Sequence, residues 1–135
     1  MQALMAELML RFAAMSLLSK WLLFVASLRF LSVVLGYLGP KSFRERVFTR
    51  RPEQVSPVAA RLFSVWTLLT CALCVMSALE PSNVAMHSIT FFSFLVALGF
   101  FALEFLVYRT LHFRGLVGPL IIASVSSAWM WVEWP

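Results

Sequence analysis

Polar residues in this chain occupy two kinds of place, short clusters between long apolar runs and isolated positions inside them. The runs cover approximately residues 21–38, 60–79, 88–108 and 116–134. At about 1.5 Å rise per residue, each can cross the roughly 30 Å hydrocarbon core as one helix. Inside the runs, the polar and small residues recur at helical spacing. Arg29, Ser32, Gly36 and Gly39 form one stripe in the first, and Ser64, Thr67, Cys71, Cys74 and Ala78 form another in the second. In the third, Thr90, Ser93, Ala97, Phe100 and Glu104 do the same. Residues three or four apart share a helix face. Lipid is as apolar as Leu, so spans are held together by close backbone approach and interhelical hydrogen bonds, which small and polar stripes supply. The predicted fold is an all-α membrane protein, four transmembrane helices packed as a small bundle.

Composition narrows this further. Of 135 residues, 61% are hydrophobic and 13% charged, outside the range of a soluble domain, and little chain is left over for one. Residues 1–20 form an N-terminal apolar extension that resembles a weak signal peptide or interfacial helix, without a convincing small-residue cleavage site, and are expected to be retained. Residues 21–135 form the membrane domain. Its segment 39–57 carries Lys41, Arg44, Arg46, Arg50 and Arg51 against Glu45 and Glu53, and Pro40, Pro52 and Pro57 predict a loop there. A second basic connection holds Arg109, His112 and Arg114. By the positive-inside rule both face the cytosol, with the termini opposite. The net charge of +5 then reads as topology and contact with membrane lipid, and no aromatic-rich basic groove for nucleic acid is visible. Trp21 at the start of the first span, and Trp129, Trp131 and Trp134 at the end of the fourth, are expected to anchor at headgroup level on one face. Pro119 is expected in the first turn of the fourth span.

The charges inside the spans are the candidate site. A carboxylate or guanidinium in hydrocarbon is costly unless paired. On the four-span topology Arg61 and Glu104 lie near the same membrane face and Arg29 lies within reach, which predicts an Arg29, Arg61 and Glu104 intramembrane polar cluster fixing how helices pair. The candidate packing positions are Ser32, Gly36, Ser64, Thr67, Cys71, Cys74, Ser93 and Ala97.

Catalytic chemistry finds no foothold. Asp is absent, His87 and His112 lie in or beside loops on opposite faces, and there is no H-x-x-x-H, Walker loop or G-x-S-x-G. Cys71 and Cys74 form a C-x-x-C in mid-span with no second pair, and read as small packing residues before redox or zinc ligands. No catalytic, cofactor or metal site is expected.

Several stretches carry a resemblance. Arg61 to Cys74 opens with R-x-F-x-x-W-T, residues 87–99 end in A-L-G, and Glu104 is followed by Tyr108 and Thr110. With the run from Pro119 to Trp131, their order and spacing resemble the ergosterol biosynthetic protein 28 family. Ser27, Leu28 and Arg29, with Trp131, Glu133 and Trp134, are similar to its green-plant branch. That family commonly has His where Phe100 stands and Gly where Arg109 stands.

The resemblance implies a non-catalytic scaffold of the endoplasmic reticulum membrane, multi-pass and without cofactors, that tethers enzymes of sterol C-4 demethylation. Its implied partners are the sterol C-4 methyl oxidase, the 3β-hydroxysteroid dehydrogenase/C-4 decarboxylase and the 3-keto sterol reductase. A second copy of the chain is a further candidate partner. The alternative is a small membrane sterol- or lipid-binding or transport protein using the Arg29 and Glu104 region.

Overall fold

The computed structural model describes the backbone of all 135 residues and every side chain except those at positions 40, 42, 43 and 44. Six α-helices follow one another: α1 (Gln2–Ala14), α2 (Leu17–Leu38), α3 (Pro40–Val47), α4 (Pro57–Leu79), α5 (Val84–Leu106) and α6 (Phe113–Val132). Of these, α2, α4, α5 and α6 are long and apolar enough to cross a membrane. They pack in a ring in which α2 lies chiefly on α4 and α5 on α6, with α4 against α5 and α6 against α2 closing it. The chain is an all-α, four-span bundle.

Each span starts earlier than the apolar runs suggest, and in α2, α4 and α5 a local side-chain cap sets the boundary. Ser16 accepts a hydrogen bond from the Ser19 amide at 3.1 Å and starts α2 at Leu17, inside the stretch assigned to the extension. Ser56 accepts from the Ala59 amide at 3.1 Å, ahead of Pro57 in the first helical position of α4. Asn83 accepts from the Met86 amide at 3.1 Å and starts α5. A side-chain oxygen at these positions satisfies an amide that the helix leaves free, and proline there loses no bond. The same shift moves Pro119 out of the first turn, since α6 begins at Phe113. Its ring therefore sits inside the helix, where the amide it lacks is missed.

The segment 39–57 is not all loop. Pro40 starts α3 instead of breaking it, and a single 3-10 turn follows at Pro52–Gln54. The side chains of Pro40 and Arg44, both named above for this segment, lie outside the described residues. Beyond α3 the chain folds back over the bundle. The Arg50 and Arg51 amides both donate to the Thr110 carbonyl at 3.1 Å, and the His112 amide donates to Thr49 Oγ1 at 2.9 Å. The two basic connections are thus stitched together on one face. Phe48, Val55 and Leu111 are buried under them with Phe101 and Leu116. A larger core lies toward the other end, built on Leu22, Val25, Ala26, Cys74, Phe94 and Met130.

Helix α1 has no buried residue and carries an exposed Glu7–Arg11 ion pair of 2.9 Å. Lys20 Nζ of α2 lies 5.4 Å above its Phe12 ring.

Candidate functional site

The hydroxyls of the α4 stripe, and Thr70 next to it, bond within their own helix. Ser64 donates to the Ala60 carbonyl at 2.9 Å, Thr67 to Phe63 at 2.8 Å and Thr70 to Thr67 at 2.8 Å. They are buried yet make no demand on a neighbour, so they act as small, smooth packing surface. Gly36, Cys71 and Cys74 are buried beside them, Ser93 is buried on α5, and Ser32 and Ala97 are half-buried.

The bonds that cross between helices come from a different set. Trp21 Nε1 on α2 donates to Ser126 Oγ on α6 at 2.8 Å, and its ring lies 6.3 Å from that of Trp129. Cys71 Sγ donates to the Ala26 carbonyl at 3.2 Å, tying α4 to α2. Thr90 Oγ1 reaches the Leu73 carbonyl at 3.1 Å, tying α5 to α4. His87 Nε2 meets the Met130 carbonyl at 2.8 Å, tying α5 to α6.

Burial adds to two of the sequence readings. His87, beside the connection before α5, is buried in the first turn of that helix, 3% exposed. Trp21 and Trp129 are half-buried partners inside the bundle, whereas Trp131 and Trp134 remain exposed. The signal for His87 was present in the sequence, since it lies three residues before Thr90, in line with the α5 stripe. Nothing local marks Ser126 as the partner of Trp21.

The charged cluster is not formed. Arg29 Nη1 donates to the Thr70 carbonyl at 3.0 Å and to Cys74 Sγ at 3.3 Å, and its guanidinium carbon lies 4.4 Å from the centre of the Phe94 ring. Arg61 is exposed. Glu104 Oε2 accepts from Thr110 Oγ1 at 2.5 Å, while the Thr110 amide caps the Glu104 carbonyl at 2.9 Å. No ion pair joins Arg29, Arg61 and Glu104 among the described residues. The physical reason is aromatic bulk. Phe63 and Trp66 wall two separate chambers, one lined by Arg29 and the other by Glu104. Phe100 packs against both rings at 6.1 and 5.6 Å, so the phenyl that stands in the Glu104 stripe fills this region with hydrocarbon.

The Arg29 chamber has a volume of about 340 Å³ and an open side. Its lining is apolar apart from Arg29, Ser32 and the α4 hydroxyls Thr67 and Thr70, and Ala97, Gly118 and Pro119 leave room where larger residues would fill it. The Glu104 chamber, about 420 Å³, lies beneath the stitched connections, with Gln54 and Thr110 in its wall. Such volumes lie in the range of small-molecule sites. The arrangement can hold an apolar body and offer it a cation; it assembles no nucleophile with a base among the described residues.

Comparison with known proteins places this architecture. The family model described as Erg28 like protein matches residues 18–128. The ergosterol biosynthetic protein 28 of Arabidopsis thaliana is 40% identical over 120 residues, covering 89% of this chain and 92% of its own length. The protein of that name from Saccharomyces cerevisiae is 29% identical over 117 residues, 86% of this chain and 79% of its own. The human homologue is 32% identical over 113 residues, 83% of this chain and 81% of its own. The identity to the plant protein is higher than to the yeast and human ones, in line with the resemblance to a green-plant branch. No solved structure matches the chain. Since the match runs from the start of α2 into the last turns of α6, the chain belongs to the Erg28-like protein family.

Proposed function

We propose that the protein acts in sterol biosynthesis as a non-catalytic scaffold of the endoplasmic reticulum membrane. In this role it tethers the sterol C-4 methyl oxidase, the 3β-hydroxysteroid dehydrogenase/C-4 decarboxylase and the 3-keto sterol reductase. The observation that carries the reading is membership of a family whose relatives are named ergosterol biosynthetic proteins. The bundle supports it physically: its crossing bonds are spent on fixing helices, and wide apolar faces, including Phe92 on α5 and Ile121 on α6, are left outward. Tethering sequential enzymes raises their effective concentration and shortens the path of a poorly soluble intermediate.

Affinity capture of the full chain from membranes in mild detergent tests this. The three enzymes are expected to co-purify, and loss of the protein should accumulate C-4-methylated sterols while each isolated enzyme stays active. Turnover of a sterol by the purified chain, or capture without any of the three, would overturn the reading. The chamber beside Arg29 favours a second reading, a small sterol- or lipid-binding or transport protein, which predicts retained sterol or flux when the chain is purified alone.

A further inference from the structure

Among the described residues, Arg29 is a cation without a counter-ion. It stands twelve residues into α2 and nine from its end, so at about 1.5 Å per residue it is more than 13 Å from either end of the span. What meets it is a carbonyl, a thiol and an aromatic face, all neutral. Both hydrogen bonds leave from Nη1; among the described residues Nε and Nη2 make none, and since no buried polar side-chain atom lacks a partner, that edge is open and not sealed in the core. That edge of a guanidinium is the one that takes a carboxylate bidentately. Arg29 also lines the open-sided chamber, whose remaining wall is mostly flat aromatic and small residues: Phe63, Trp66, Phe101, Ala97 and Gly118.

We propose that this chamber binds a sterol-class molecule bearing a ring carboxylate, with the carboxylate on the free edge of Arg29 and the ring system against the aromatic wall. The sterol half of this assignment rests on the proposed function. The anionic half rests on the uncompensated guanidinium. A phospholipid phosphate is held at the interface by its own headgroup and does not fit the depth of Arg29. An acid on an otherwise apolar body can enter sideways from the acyl chains. Stepwise oxidation of a sterol methyl group ends at such an acid, so the site would hold an intermediate between the oxidation that makes the carboxylate and the decarboxylation that removes it.

The test uses the purified full chain in lipid nanodiscs, with no enzyme present, so its result is independent of whether capture succeeds. Three probes are titrated: a C-4-carboxysterol, the same sterol without the carboxylate, and oleate. The carboxysterol is expected to bind saturably and at least tenfold tighter than either of the others. Arg29→Gln should bring the carboxysterol within threefold of the neutral sterol, and Ala97→Phe, which fills the chamber and keeps the arginine, should weaken the carboxysterol at least tenfold. Helix content by circular dichroism checks that each variant is folded; if Arg29→Gln is not, Arg29→Lys replaces it, and removal of the fork should still cut the preference. Equal binding of neutral sterol, equal binding of oleate, no saturable binding, or a preference that survives in the folded variants would overturn the proposal.

Discussion

Gly36 on α2 and Ser64 on α4 approach so closely that a Cβ built on Gly36 would lie 1.8 Å from Ser64 Oγ and 3.2 Å from its Cβ. The Ser64 hydroxyl is buried and committed to the Ala60 carbonyl, so it has little freedom to turn away. Gly36→Ala should therefore push the two helices apart. Overpacking of this kind costs about 1–3 kcal/mol. Thermal unfolding in detergent should show the loss, and adding Ser64→Gly should recover part of it. Full stability of Gly36→Ala alone would mean that α2 and α4 do not meet here.

Arg29 and Glu104 should behave as independent sites. Glu104→Ala removes the acceptor of Thr110 and should cost about 1 kcal/mol, as for one hydrogen bond. Its effect should add to that of Arg29→Gln within about 0.5 kcal/mol, the scatter for uncoupled positions. A double-mutant cycle by chemical unfolding measures this, and a coupling well above that scatter would restore the ion pair that the aromatic wall excludes.

The Trp21–Ser126 bond closes the ring between α2 and α6. Trp21→Phe should lose about 1 kcal/mol, the scale of an interhelical hydrogen bond in a membrane. Ser126→Ala should lose a similar amount, and the double variant no more than either single one. Strict additivity would show that the indole finds its partner elsewhere.

Arg109 adopts φ 53°, in the left-handed region, at the turn after α5. A side chain there costs about 1–2 kcal/mol, and glycine escapes that cost while adding roughly 0.5–1 kcal/mol of chain entropy to be lost on folding. Arg109→Gly should therefore stabilise slightly, raising the midpoint of unfolding. Arg109→Ala should not. If both raise the midpoint equally, charge and not backbone conformation is responsible.

The number of spans and their helical character were legible in the sequence, as was the alignment of small and polar residues along single helix faces. Apolar runs of bilayer length and side chains at helical spacing are properties of the chain itself, and the bilayer forces such runs to bond internally. Helix starts were less so, because Ser16, Ser56 and Asn83 act by single capping bonds that hydropathy does not register. The partners of the charged residues were not legible at all. Spacing places Arg29 and Glu104 on their own helices, but it says nothing of the bulk between them. Phe63, Trp66 and Phe100 decide that by filling the space, so Arg29 turns to Thr70 and Cys74 and Glu104 to Thr110. Pairing across a bundle depends on the rotation of each helix and the volume of its neighbours together, and only the folded arrangement fixes both.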